Sequence, residues 1–200
     1  SKTPDMLRAF GRAIASLGGG YVTAEDVGMT DDDMVVIRNE TDHVAGLPVE
    51  SGAAGGDPGP YTALGVFLGV KAAAKRALEV DSLKDVHVAI QGVGSVGGGL
   101  AKLLAEEGAR LTLADVNADR AQELAAEYGG EAVDTDSILS VEADIVSPNA
   151  LGAVLDEESI SQLRCSAVAG GANNQLATPE DGQRIYKRGI LFAPDYVINA

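Results

Sequence analysis

Apolar residues recur at helical spacing in the first third of the chain and in short runs beyond residue 86. Met6, Phe10, Ala13 and Leu17 stand at offsets 0, 4, 7 and 11, one face of a helix. Thr3-Pro4-Asp5 opens that helix with a capping hydroxyl, a proline whose φ is preset, and an acid beside the positive end of the dipole. Gly18-Gly19-Gly20 ends it, and Tyr21 to Ala24 reads as a short strand running into Glu25-Asp26-Val27-Gly28. Thr30 caps a second helix whose first turn is Asp31-Asp32-Asp33. Three consecutive carboxylates fan around a helix and cannot converge on one ion. They read as partners of the helix dipole, and no metal site is expected.

Residues 46–60 are dense in glycine and proline (Gly46, Pro48, Gly52, Gly55, Gly56, Pro58, Gly59, Pro60), which predicts a junction between a part spanning 1–50 and a part spanning 51–200. A long helix, 61–78, follows. Leu64, Val66, Phe67, Leu68, Val70, Ala73 and Ala74 make it apolar on several sides, so it is expected to lie buried between two bodies. Strands near 86–91, 110–115, 143–147, 165–169 and 190–193 then alternate with helices near 95–107, 118–128, 156–163 and 179–188. Strands separated by helices of this length predict an α/β fold with a doubly wound parallel sheet.

Between the first such strand and its helix stands Gly92-Val93-Gly94-Ser95-Val96-Gly97, a G-x-G-x-x-G loop. Alone that pattern is weak, but here its setting agrees with it. A strand precedes it, and Val96, Leu100, Leu103 and Leu104 make the helix after it amphipathic. The next strand ends in Asp115, 23 residues beyond Gly92. This is the layout of a Rossmann-type dinucleotide-binding domain. Gly92 permits the tight turn, Gly94 lets the backbone approach a pyrophosphate, and Gly97 lets helix and strand pack closely. The helix start, with Ser95 and Val96, offers free N–H groups to the phosphates. Asp115 would accept hydrogen bonds from the adenosine ribose. A 2′-phosphate there would meet a carboxylate, and no arginine stands at 116 or 117, so NAD is expected over NADP. Gly98 and Gly99 extend the glycine run into the helix, where each costs about 1 kcal/mol against alanine, and the sequence offers no reason for them.

Charge narrows the partners. The net charge of −15 opposes nucleic acid and anionic lipid, and no apolar run is long enough to span a membrane. The one cysteine, Cys165, precludes an internal disulfide and fits a reducing cytoplasm. Beside Ala167-Val168-Ala169 it reads as a small buried thiol. His43 and His87 have no motif around them and read as structural.

Further stretches carry a resemblance. They are Gly19 to Gly28, Gly56-Asp57-Pro58-x-Pro60-x-Thr62-Ala63, Pro148-Asn149-Ala150-Leu151-Gly152, Ala169-Gly170-Gly171-Ala172-Asn173-Asn174-Gln175-Leu176 and Ala193 to Ala200. With the glycine loop they run nearly the full length, and the chain resembles the Glu/Leu/Phe/Val amino acid dehydrogenases, most of all their leucine-specific branch. The resemblance implies reversible, NAD-dependent oxidative deamination of an L-amino acid, two domains flanking a cleft, and a homo-oligomer. It implies that residues 1–50 are the end of a smaller α/β substrate domain.

It also assigns roles. Asp26 matches the catalytic aspartate, a proton shuttle near the imine and its attacking water; by itself the Glu25-Asp26 pair would read as a solvated turn. Thr62 and Asn173 match residues near the nicotinamide, Ala150 lines the cofactor path through its backbone, and Asn173 and Asn199 reach the substrate. Asn149 stands where relatives often carry cysteine. Ala24 matches a small side-pocket residue that is glycine in aromatic-preferring relatives, which leans the substrate towards leucine, valine and isoleucine. A phenylalanine or tryptophan dehydrogenase of the same family is the alternative, and a non-catalytic NAD-binding module a third reading. The resemblance further implies two substrate-domain lysines, one in a Gly-Gly-x-Lys stretch. No such stretch occurs in the 200 residues, so they are expected to bind NAD without turning over.

Overall fold

The computed structural model describes residues 2–26, 28–47 and 58–199. Most of the predicted glycine–proline junction, and Val27, Gly56, Asp57 and Ala200 of the family stretches, lie outside them. The chain divides into two compact units, Ser1–Pro58 and Gly59–Ala200. No helix among the described residues is long and apolar enough to cross a membrane.

The first unit holds α1 (Pro4–Ser16) and α2 (Asp31–Arg38). Thr3 caps α1, its hydroxyl accepting from the Met6 N–H. Thr30 and Asp33 form a reciprocal capping box on α2, and the Lys2 ammonium also binds the Asp33 carboxylate. The acidic turn is therefore a helix start, as read. The buried face of α1 differs from the predicted one. Leu7, Gly11 and Ile14 face inward, and Leu7 packs with Met34 and Ile37, whereas Met6 is 52% and Leu17 55% exposed. Two apolar stripes share this helix, and close approach to α2 selects the one containing Gly11, where a Cβ would lie 2.9 Å from the Ile37 carbonyl oxygen. The strand expected at Tyr21 to Ala24 is only a bridge, Thr23 to Val44.

The second unit begins with α3 (Gly59–Leu78) and continues as β1 (His87–Gln91), α4 (Ser95–Glu106), β2 (Arg110–Ala114), α5 (Ala118–Tyr128), β3 (Glu131–Ala132), β4 (Ile145–Pro148), α6 (Glu157–Gln162), β5 (Ala167–Ala169), α7 (Pro179–Lys187), β6 (Leu191–Ala193) and α8 (Asp195–Ile198). All strands are parallel, in the order β3-β2-β1-β4-β5-β6. This is the doubly wound sheet predicted. The two-residue β3, a 3-10 turn at Ile138–Ser140 and the short α8 carry too little periodicity to be seen in the sequence.

Strand alternation builds two cores. Val88, Ile90, Leu111, Leu113, Ile145, Ala167 and Ala169 face one side, under α3, α4 and α5. Ala89, Ala114, Val146 and Val168 face the other, against Ile138, Leu155, Ile160, Leu163 and Ile185. Within this unit helix α3 buries one stripe (Ala63, Val66, Phe67, Val70, Ala73, Ala74), while Leu64 and Leu68 stand off it. Its contact with α4 is close enough that a Cβ on Gly99 would lie 2.9 Å from that of Ala63, which accounts for this glycine inside a helix.

A Cβ on Gly170 would lie 2.6 Å from the Pro148 nitrogen and 2.7 Å from Pro148 Cδ, both inside van der Waals contact. Gly170→Ala is therefore expected to lower unfolding free energy by about 1–3 kcal/mol. Urea unfolding should show a lower midpoint at an unchanged slope, and an unchanged midpoint would contradict the close β4–β5 approach.

Candidate functional site

In a doubly wound sheet the crossovers leave on opposite sides of one strand pair, opening a crevice at the carboxyl ends. Here that pair is β1 and β4, because β1 continues to β2 on one flank while β4 leads to β5 on the other. The sequence-predicted residues of the second unit gather along this edge. Gly92 to Gly97 leave β1, Asp115 follows β2, Asn149 and Ala150 follow β4, Asn173 follows β5, and Asn199 follows α8. Thr62 stands in the first turn of α3, one turn before Val66, whose methyl lies against Gly171. Ala24 and Asp26 belong to the first unit, where both are exposed and the Asp26 carbonyl accepts from the Met29 N–H at 2.9 Å.

The glycine loop is shaped by contact. Gly92 has φ +84°, and a Cβ there would lie 2.9 Å from the Ala150 nitrogen. A Cβ on Gly97 would collide with the Gly92 carbonyl oxygen. At Gly94 a Cβ would meet nothing within 4 Å, so this part of the loop faces open space. Helix α4 starts at Gly94 with no side-chain cap, the kind of helix start that suits an external anion. The Asp115 carboxylate faces this loop. One oxygen accepts from the Val93 N–H at 2.7 Å and the other from the Asn117 N–H at 2.9 Å. A carboxylate accepts about four hydrogen bonds, so two places remain for hydroxyls.

Facing the loop's start, the segment after β5 is pinned by side chains. The Gly171 N–H donates to Asn149 Oδ1 at 2.9 Å, while the Asn149 amide donates to the Ser147 carbonyl and hydroxyl, each at 2.9 Å. The Asn199 amide donates to the Gly171 carbonyl at 3.1 Å and to Asn173 Oδ1 at 3.2 Å. The Asn174 N–H donates to Asp195 at 2.8 Å, and buried Gln175 donates to the Gly170 carbonyl at 2.7 Å. Asn173 and Asn199 thus form one amide pair. Asn149, Gln175 and Asp195 hold the segment; the family stretches contained them, but nothing in their spacing announced these bonds. Arg120 was missed altogether. Its Nε donates to the Val93 carbonyl at 2.7 Å.

A groove of about 910 Å³ lies at the opposite, amino edge of the sheet, lined by His87, Arg110, Asp144, Arg164, Cys165 and Arg188 among others. Its polar groups are largely committed to the fold. The Arg188 guanidinium binds the Leu163 carbonyl at 2.8 Å and the Ile160 carbonyl, closing the end of α6. His87 pairs with the Thr112 hydroxyl at 2.8 Å, and burial followed by the nearby Arg110 lowers its pKa, consistent with a neutral structural histidine. Burial pushes the Cys165 thiol up to about 11.

The model of the Glutamate/Leucine/Phenylalanine/Valine dehydrogenase family matches residues 58–118 and 111–200. Over 199 residues the chain is 48% identical to a leucine dehydrogenase of Bacillus subtilis (strain 168), covering 100% of this chain and 54% of that protein. It is 43% identical to a phenylalanine dehydrogenase of Bacillus thermotolerans over 204 residues, 100% of this chain and 53% of the relative. The crystal structure of L-tryptophan dehydrogenase from Nostoc punctiforme superposes with a TM-score of 0.74 at 40% identity, over 100% of this chain and 56% of that one. The chain therefore spans about half the length of the curated relatives it matches.

With its pKa pushed up to about 11 by burial, Cys165 is about 100-fold less thiolate near pH 8 than a free cysteine. Iodoacetamide at that pH should modify the native chain about 100-fold more slowly than the urea-unfolded chain. Comparable rates would show the thiol to be open to solvent.

Proposed function

The chain belongs to the Glutamate/Leucine/Phenylalanine/Valine dehydrogenase family, and from that premise we propose that it carries the dinucleotide-binding half of an NAD-dependent branched-chain amino acid dehydrogenase. The observation that carries the reading is the convergence of the glycine loop, Asp115 and the Asn173–Asn199 pair on one carboxyl edge. The residues present fit a dinucleotide: an uncapped helix start, an open face at Gly94, and a ribose-side carboxylate with acceptor capacity to spare. Bound NAD supplies the acceptor for the hydride that leaves the amino acid Cα.

The remaining chemistry falls to the chain's own groups. The first turn of α4, with Ser95 and Val96, takes the pyrophosphate, because helix-start N–H groups and the helix dipole both favour an anion. Asp115 accepts from the ribose hydroxyls and repels a 2′-phosphate, favouring NAD over NADP. Thr62, Ala150 and Asn173 orient the nicotinamide end, and the Asn199 amide fixes Asn173. Asp26 moves the proton of the water that attacks the imine, giving the 2-oxo acid and ammonia. The unit Ser1–Pro58 is read as the end of the substrate domain, with Ala24 lining the side-chain pocket. The working enzyme is read as a cytoplasmic homo-oligomer. The leucine dehydrogenase relatives support the branched-chain substrate. The phenylalanine and tryptophan dehydrogenases at 42–43% identity make an aromatic substrate the second reading.

Calorimetric titration should show NAD bound in preference to NADP. Asp115→Ala should weaken NAD binding by about ten- to a hundredfold, the loss of hydrogen bonds to a charged group worth about 1.5–3 kcal/mol. NADP binding as tight as that of NAD would overturn the role given to Asp115. In the complete enzyme, Asp26→Asn should cut turnover of leucine by about 10²–10⁴-fold with NAD affinity retained. Near-normal turnover removes Asp26 from the mechanism, and activity on phenylalanine with none on leucine replaces the substrate assignment.

A further inference from the structure

We infer that Arg120 is a positioning residue of the dinucleotide site, acting through the Val93 carbonyl. The inference rests on the dinucleotide reading above and extends it to a residue outside the glycine loop and outside the acid that follows β2.

The geometry is a two-sided grip on one residue. The Val93 N–H donates to Asp115 at 2.7 Å, and the Val93 carbonyl accepts from Arg120 Nε at 2.7 Å. Val93 itself is fully buried. Both peptide planes that meet at its Cα are therefore held from outside the loop. The second plane matters for the ligand, since it carries the Val93 carbonyl and the Gly94 N–H. In a trans peptide these point in opposite directions. An arginine that fixes the carbonyl fixes the direction of the Gly94 N–H, on the stretch of loop where a Cβ would meet only open space.

Gly98 supports the same reading. A Cβ there would lie 3.2 Å from the Val93 carbonyl oxygen and 3.4 Å from an Arg120 Nη, both tight contacts. The guanidinium thus crosses the first turn of α4 over a position kept bare. A helix-interior glycine costs about 1 kcal/mol against alanine, and passage of this arginine gives that position a use the sequence alone did not reveal. Asn117 contributes as well: its side chain accepts from the Arg120 N–H at 3.2 Å, which places Arg120 in the first turn of α5, pointing back to the loop.

Two variants separate the hydrogen bond from the charge. Glutamine places an amide nitrogen at the same bond distance from Cα as arginine Nε, so Arg120→Gln keeps the donor and loses the charge. Arg120→Met keeps length and loses both. Titrating the full chain with NAD, we expect Arg120→Met to weaken binding about tenfold and Arg120→Gln to stay within about threefold of the unsubstituted chain. Amide hydrogen exchange read at Val93 and Gly94 should quicken in Arg120→Met and not in Arg120→Gln, with both variants melting cooperatively. Equal NAD affinity of Arg120→Met and the unsubstituted chain overturns the inference. So does an Arg120→Gln variant as weak as Arg120→Met, which would assign the effect to charge. An unsubstituted chain that binds no NAD fails differently, because it refutes the dinucleotide reading on which the inference stands.

Discussion

The approach of α4 to the end of β1 governs the architecture of the larger unit. The Cα of Gly97 lies so near the Gly92 carbonyl that no side chain fits between them. Only two glycines five residues apart, the first at positive φ, let a strand end and a helix begin within that space. Other placements follow from it. Helix α4 lies low enough on the sheet to bury Leu100 and Leu104 completely, and α3 then crosses α4 at Gly99 against Ala63. The start of α4 is left at the sheet's carboxyl edge without a side-chain cap. A hydrophobic packing requirement and the placement of a helix start at that edge are thus two consequences of one close contact.

A net charge of −15 does not oppose the proposed phosphate site, because the relevant field is local. Charges more than a Debye length away, about 8–10 Å in ordinary salt, are largely screened. Within that radius the loop meets oriented N–H groups and the guanidinium of Arg120 as well as the Asp115 carboxylate, whose two oxygens already accept N–H groups. The acid is thereby held as a directional acceptor for hydroxyls.

Much of this could be read in the sequence, and the failures share a cause. The α/β alternation, the glycine loop and Asp115 were visible because each depends on local periodicity or fixed spacing. The buried face of α1 was misread because Met6-Phe10-Ala13-Leu17 and Leu7-Gly11-Ile14 are both helical stripes, and only contact with Ile37 and Met34 chooses between them. The same holds for α3, where Leu64 and Leu68 look like core but stand off the stripe that buries Val66 and Val70 within this unit. Arg120 and Asn149 escaped because their roles lie in hydrogen bonds to residues 27 and 22 positions away, which no window along the chain contains. Gly98 and Gly99 were visible as anomalies, and their explanation needed α5 and α3 in place.

The two edges of the sheet differ in which helix termini they carry. In a parallel α/β unit every crossover helix runs antiparallel to the strands, so the helix starts sit at the carboxyl edge and the helix ends at the amino edge. At the amino edge the exposed groups are carbonyls. Arg188 spends both Nη atoms on those ending α6, and Arg184 and Lys187 occupy the last turn of α7. In the groove at that edge Arg188 answers a helix C-terminus, and the partial negative charge it answers would oppose an anionic ligand. At the carboxyl edge the exposed groups are N–H donors of α4, with side-chain amides of Asn149, Asn173 and Asn199 fixing the loop opposite. Helix direction, set once by the parallel topology, therefore decides which edge of the sheet carries the helix starts and which is closed by Arg188.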